Sequence, residues 1–247
     1  MNTDNNDMCA NCGKGEEESV TLKNCVACKT VKYCSRDCQK AHRSQHKKEC
    51  RKRAAELHDE ALFKQPPLPE DCQICFLLLP SLVSGRSYKA CCGKRVCSGC
   101  IHAMTKMDGN VDELCPFCRT PAPKTNEEEM EREKKRAEGG DAVAIHNLAC
   151  YYDEGMYDFP RDRDKALELW HRAGELGCFG SYYNIGNIYF YGRDVNKNEK
   201  KAVHYWELSA MGGDVNIARY NLGIFEMKAG NMERAIKNFA IAVRSGS

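Results

Sequence analysis

The chain has 247 residues, 42% of them hydrophobic, and a formal net charge of +2. That balance argues for neither a nucleic-acid nor a membrane partner. It carries 17 cysteines, 15 of them before residue 120, which excludes an ordinary apolar core for the first half. Metal-stapled modules are expected there, because a bound ion supplies folding free energy directly.

Residues 1–8 show neither a basic region nor an apolar one, which predicts a disordered N-terminus and no signal peptide. The longest apolar run, 76–83, is interrupted by Pro80 and is too short to span a bilayer. The expected setting is the reducing cytoplasm or nucleus, where closely spaced thiols bind metal rather than oxidise.

Over residues 9–50 the ligands come in pairs: Cys9-Ala-Asn-Cys12, Cys25-Val-Ala-Cys28, Cys34-Ser-Arg-Asp-Cys38 and His46-Lys-Lys-Glu-Cys50. A thiolate pair two residues apart can take two corners of a zinc tetrahedron. The last two pairs are spaced by four, so each lies on one face of consecutive helical turns. The whole pattern, with Tyr33 before the fifth ligand and Gln39 after the sixth, resembles a MYND finger. The resemblance implies a cross-brace in which Cys9, Cys12, Cys34 and Cys38 hold one zinc while Cys25, Cys28, His46 and Cys50 hold the other. His42 lies on the same stripe and is read as a helix-surface residue, since both tetrahedra are complete without it. Relatives dock proline-rich peptides of Pro-x-Leu type. Here Arg43 stands where many of them have tryptophan, and polyproline recognition depends on aromatic surfaces.

Residues 51–70 are expected to be a basic helix end and a linker. The Lys/Arg-rich run 47–53 reads as a solvated helix terminus, favourable to the macrodipole. Lys64-Gln-Pro-Pro-Leu-Pro-Glu70 reads as a stiff polyproline spacer, with docking onto the chain's own first finger as the alternative.

Residues 71–120 repeat the metal theme with Cys72-Gln-Ile-Cys75, the adjacent pair Cys91-Cys92, Cys97-Ser-Gly-Cys100 and Cys115-Pro-Phe-Cys118. This stretch resembles a RING finger. The resemblance implies that the first and third pairs, Cys72, Cys75, Cys97 and Cys100, hold one zinc and the second and fourth pairs the other. Many RINGs have Cys-Gly-His where this chain reads Cys92-Gly93-Lys94, and a lysine ammonium has no lone pair to give. With Cys92, Cys115 and Cys118, the fourth ligand is then Cys91, or alternatively His102. Ubiquitin-ligase RINGs use residues at the positions of Ile74, Pro116 and Arg119, the first two as an apolar groove for a ubiquitin-conjugating enzyme. The arginine's planar fork bridges that enzyme and its ubiquitin. The bland alternative is that Ile74 and Pro116 pack the zinc loops and Arg119 is a solvated charge.

Residues 121–140 are expected to form a charged connector helix, capped by Asn126, with acids in the first turn, bases following and glycines at its end. From 141 to 247 the sequence repeats: Asn147-Leu148, Asn184-Ile185 and Asn221-Leu222 recur every 37 residues. Lys165-Ala166, Lys201-Ala202 and Arg234-Ala235 follow, with Trp170, Trp206 and Phe239 five residues after each basic residue, and Gly177 and Gly213 close the first two units. Such a period signals stacked helical hairpins, and the pattern resembles Sel-one-like repeats, relatives of the tetratricopeptide family. The third unit, with its short loop, is expected to act as a cap. Cys150 and Cys178 are read as small packing residues.

The expected fold class is therefore two small zinc-stabilised cross-brace modules followed by an all-α solenoid, with four zinc ions, two per finger. The resemblances imply a RING-type ubiquitin ligase that works without a covalent intermediate by positioning a charged conjugating enzyme. Its repeats, with the MYND finger as a second element, would bind protein or proline-rich peptide partners. The rival is a non-catalytic adaptor or scaffold. A MYND-containing lysine methyltransferase is disfavoured, since the remaining chain is helical repeat, and no finger offers a clear nucleic-acid surface.

Overall fold

The computed structural model describes residues 7–16, 20–65, 67, 70–80, 85–108, 114–213 and 216–246. Most of the N-terminus expected to be disordered, Pro66 and Pro69 of the spacer and the end of the apolar run at 81–83 lie outside the described residues. The chain divides into two compact units, Met1–Lys64 and Gln65–Ser247.

The first unit pairs two short antiparallel strands, β1 (Lys23–Asn24) and β2 (Lys32–Tyr33), ahead of one long helix, α1 (Arg36–Leu62). Ser35 starts that helix by accepting a hydrogen bond from the Cys38 N–H at 3.2 Å. The apolar core is small: Leu22 and Tyr33 are buried among the cysteines. The basic run 47–53 is not a helix end, because α1 continues to Leu62. Away from the terminus the macrodipole offers those charges nothing, and Arg53 is instead answered along the helix by Glu56 at 3.1 Å and Glu60 at 2.9 Å.

The second unit begins with a hairpin of β3 (Arg86–Lys89) and β4 (Lys94–Cys97), in register from Arg86 opposite Cys97 to Lys89 opposite Lys94. Helix α2 (Ser98–Asp108) follows, then α3 (Asn126–Glu138). The cap of α3 is Thr125, not Asn126: the threonine hydroxyl accepts from the Glu128 N–H at 3.2 Å, and the Glu128 carboxylate accepts from the Lys124 N–H at 2.9 Å. Nor is α3 a free-standing connector, for its inner face buries Glu133 and Ala137 against the first repeat.

Three helical hairpins complete the unit: α4 (Ala142–Glu154) with α5 (Arg163–Glu175), α6 (Gly180–Tyr191) with α7 (Glu199–Gly212), and α8 (Asn216–Lys228) with α9 (Met232–Gly246). Asp141, Asp162 and Asn198 cap their helices through side-chain oxygens. The 37-residue period has a packing cause. The aromatic residue of each second helix lies over a small residue of the first, Trp170 beside Ala149, Trp206 on Gly186 and Phe239 on Gly223. A Cβ on Gly186 would fall 2.5 Å from the Trp206 ring, so the close approach requires glycine. The last hairpin is not a polar cap, because α9 exposes Ile236 at 62% and Val243 at 73%.

Glu133 is 4% exposed; its Oε1 accepts from the Asn147 amide at 2.9 Å while Oε2 has no hydrogen-bond partner. Burial lifts its pKa above the ordinary carboxylate range despite that amide and the nearby Tyr151 hydroxyl. A carboxyl raised in the folded state stabilises below its unfolded pKa, and the contribution is lost as pH rises through the folded value. Glu133→Gln, which keeps the Asn147 bond and removes the charge that burial disfavours, is therefore expected to stabilise the repeats at pH 7. The gain should shrink on acidification toward the carboxylate range. Thermal melts at the two pH values check this, and a mutant less stable at pH 7 would contradict it.

Candidate metal centres

Four of the five Cys-x-x-Cys hooks are shaped before any ion is considered, the fifth, Cys97 to Cys100, running from β4 into α2. The N–H of the residue after the second cysteine bonds back to the first cysteine's carbonyl: Gly13 to Cys9 and Lys29 to Cys25 at 2.9 Å, Phe76 to Cys72 at 2.9 Å, and Arg119 to Cys115 at 3.0 Å. All four donors adopt the left-handed conformation, with φ of 70, 58, 59 and 58°. Three of them are not glycine, so the knuckles hold side chains where L-residues are disfavoured. The tight turn aims both sulfurs of a hook to one side.

The hooks then meet in four groups, each with its four ligand atoms within 4.8 Å of one another. The first finger brings together Cys9, Cys12, Cys34 and Cys38, and separately Cys25, Cys28, His46 and Cys50. In the second module Cys72 and Cys75 join Cys97 and Cys100, while Cys91 and Cys92 join Cys115 and Cys118. In both modules alternate pairs converge, which is the cross-brace. Cys91 occupies the fourth position of the last group and His102 does not belong to it. Lys94 is turned aside, its ammonium 4.9 Å from the centre of the Phe117 ring.

The spacing fits zinc. With Zn–S bonds of about 2.3 Å, the edge of a tetrahedral site measures about 3.8 Å. The sulfurs stand 3.6 Å apart in Cys12–Cys34 and in Cys34–Cys38, 3.7 Å in Cys25–Cys50 and 3.8 Å in Cys72–Cys100 and Cys75–Cys97. Cys92–Cys115 is 3.7 Å and Cys91–Cys118 is 3.4 Å. A disulfide would need about 2.05 Å. Burial opposes ionisation of Cys72, yet the backbone N–H groups of Cys97, Cys75 and Ile74 bring its thiol down to about 6. Burial and the neighbouring Cys97, Cys75 and Cys72 push Cys100 up to about 12. Four thiols this close cannot all ionise without a cation among them, and a divalent ion removes that conflict. The chain is thus built for four zinc ions, held by the four groups, and their role is structural: every group is complete with four protein ligands and leaves no open position.

His42 is more than a surface residue. It is not in either metal group, but its Nδ1 lies 3.1 Å from the Tyr33 hydroxyl and its ring stacks on that of His46 at 5.6 Å. Tyr33 and His42 therefore orient the one histidine ligand from behind. Arg43 is exposed.

Of the three residues proposed for partner contact, Arg119 is exposed and forms no ion pair among the described residues, while Ile74 and Pro116 are half-buried. Ile74 packs beside the Cys72, Leu79 and Val96 core, so its side chain is divided between packing and surface. Next to it, Phe76 is 76% and Leu77 69% exposed. These apolar surfaces lay within reach of sequence reading, since Phe76 directly follows the ligand Cys75 on a turn and Leu77 comes next.

A joint that the sequence does not announce ties the second module to the repeats. The Arg136 guanidinium on α3 donates to the Tyr88 hydroxyl on β3 at 3.0 Å and to the Asp141 carboxylate at 2.9 Å. Asp141 at the same time accepts from the Val143 and Ala144 N–H groups to cap α4. Although partly buried, its carboxyl is held below the usual range by Arg136. Gly93, at φ 75°, passes so close beneath Arg136 that any Cβ would overlap the guanidinium. On the neighbouring turn, Arg132 donates to the Pro121 carbonyl at 2.7 Å. The module is thereby seated on the first helices of the solenoid rather than tethered to it.

Residues 9–50 match the family profile of the MYND finger, and residues 142–178 and 180–214 that of the Sel1 repeat. An Arabidopsis thaliana protein described as ERAD-associated E3 ubiquitin-protein ligase component HRD3B is 32% identical over 103 residues, 42% of this chain and 16% of its own. E3 ubiquitin-protein ligase DA2 of the same organism is 42% identical over 52 residues, 21% of this chain and 12% of its own. The chain thus spans less than a fifth of the length of either. Among solved structures, a Sel1 repeat protein from Oxalobacter formigenes is similar at 27% identity and a TM-score of 0.47, covering 51% of this chain and 52% of that one. Among the described residues no helix is long and apolar enough to cross a membrane. The chain accordingly carries a MYND finger at its start and Sel1 repeats in its second half, with a further eight-cysteine metal module between them.

Proposed function

We propose that residues 72–119 are a RING-type module and that the protein is a ubiquitin ligase acting as a platform. The observation that carries this reading is the pair of interleaved four-cysteine groups, ending in a knuckle that leaves Arg119 exposed and, among the described residues, without an ion pair. Similarity to proteins described as E3 ubiquitin ligases and as a ligase component supports it. In this reading Ile74 and Pro116 offer an apolar contact to a ubiquitin-conjugating enzyme, and Arg119 bridges that enzyme and its bound ubiquitin. No side chain attacks the thioester. The rate gain comes from holding the charged enzyme in a reactive conformation. The repeats hold the protein to be modified, with the MYND finger as a second docking element. Sixteen closely spaced ligands suit the reducing cytoplasm or nucleus.

A second reading, a non-catalytic adaptor, is favoured by the HRD3B relative, which is described as a ligase component. Titrating isotope-labelled conjugating enzymes with the zinc-loaded chain separates the two. The ligase reading expects saturable shifts that Arg119→Ala and Ile74→Ala weaken; an absence of shifts across a broad panel favours the adaptor.

A further inference from the structure

The side of the solenoid where the second and third repeats meet holds a groove of roughly 690 Å³. Phe190, Tyr191, Tyr220 and Phe225 line it, with the buried Trp206 beneath them. Tyr191 and Tyr220 are 61% and 54% exposed, a concentration of aromatic surface at one place on the stack. Neither tyrosine hydroxyl has a hydrogen-bond partner among the described residues. The same holds for the Asn221 amide. Its counterparts one and two periods earlier are engaged, Asn184 with Cys150 at 3.8 Å and Asn147 with Glu133 at 2.9 Å. The groove thus presents flat aromatic faces together with free donors.

Charge narrows the occupant. Lys197 and Lys228 stand at the groove beside a single acid, Glu199, which Lys197 already pairs at 2.9 Å. The Arg193 guanidinium covers the outer Tyr191 ring at 5.1 Å. The rim is therefore basic. A helical ligand would spend its carbonyls internally and leave the tyrosine and asparagine donors unanswered. An extended polyproline strand has no internal hydrogen bonds, offers every carbonyl, and packs its rings on aromatic walls.

We infer that this groove binds an extended proline-rich peptide flanked by an acidic residue. The Pro rings lie against the exposed faces of Tyr191 and Tyr220, the peptide carbonyls accept from the tyrosine hydroxyls and Asn221, and the acid pairs with Lys228. This rests on the reading of the repeats as the partner-binding part of the protein, and it names the chemistry of that partner.

The test is isothermal titration of the full zinc-loaded chain with the synthetic peptide Glu-Pro-Pro-Leu-Pro-Glu, alongside the same peptide with every proline replaced by alanine. Trp206 fluorescence is followed in parallel. Saturable binding of the proline peptide with a change in tryptophan emission is expected, and weaker binding of the alanine peptide. Tyr220→Ala and Lys228→Glu, both at exposed positions and each checked for an unchanged melt, should weaken binding at least about tenfold. Undiminished binding in both variants would assign the peptide to another surface, the MYND finger included, and overturn the proposal. So would equal affinity for the alanine peptide, or no saturation at millimolar concentration. No conjugating enzyme is present in this measurement, so its failure is distinguishable from failure of the ligase reading.

Discussion

Cys115→Ser is expected to remove two zinc ions from the protein, not one. Cys115 belongs to the group with Cys91, Cys92 and Cys118, but the loops bearing that group alternate along the chain with those bearing Cys72, Cys75, Cys97 and Cys100. Without the last knuckle, β3 and β4 lose the ion that closes their turn, and β4 carries Cys97 of the other group. Among the described residues the buried apolar cluster of this module is Cys72, Leu79 and Val96, with Ile74, Ile101 and Phe117 partly buried against it, too little to hold the fold in its place. Structural zinc contributes on the order of 10 kcal/mol in small modules, well above what the remaining contacts supply. Native mass spectrometry should therefore give four zinc ions for the wild type and two for the variant, with the first finger intact. A count of three would mean that the two groups fold independently and that the cross-brace does not couple them.

Trp206→Ala is the second large effect. Trp206 is 2% exposed, lies on Gly186 and donates its ring N–H to Asn187 at 3.1 Å. Its removal leaves a cavity between the two helices of the middle hairpin and one unsatisfied acceptor, at a cost of about 3–5 kcal/mol. The helical melt should shift down strongly while zinc content stays unchanged. A loss below about 1 kcal/mol would show that the aromatic does not organise the stack.

Much of this was legible in the sequence because two constraints write themselves at fixed spacing. A metal ion fixes the distance between its ligands, so the three-residue and four-residue intervals of the hooks exposed most of the ligands and their alternation, while the adjacent pair left Cys91 and His102 as alternatives for the last position. A repeat writes its small-on-aromatic contact every 37 residues, as at Ala149, Gly186 and Gly223. What stayed hidden has no period. The Tyr88–Arg136–Asp141 joint links residues 48 and 5 positions apart, each of an ordinary surface type. The length of α1 was missed because its residues are polar on every side, and the basic run looked like an end where the helix in fact continues. Helix α3 read as a solvated connector because Glu133, a residue type rarely buried, sits on its inner face.

The joint also bears on function. With Gly93 lodged against Arg136, the exposed knuckle of Arg119 and the aromatic groove of the repeats belong to one compact unit. In the proposed reading, a partner held by the repeats would be presented at a set distance from an enzyme docked on the second module, the positioning that reading requires.

The most direct measurement of the central claim is an autoubiquitination assay on the zinc-loaded chain across a panel of conjugating enzymes, beside Ile74→Ala and Arg119→Ala, which keep every metal ligand. The account predicts ubiquitin chains with the wild type and at least a tenfold slower reaction in both variants at unchanged zinc content. No transfer with any panel member, from protein shown to hold four zinc ions, would contradict it and leave the chain an adaptor.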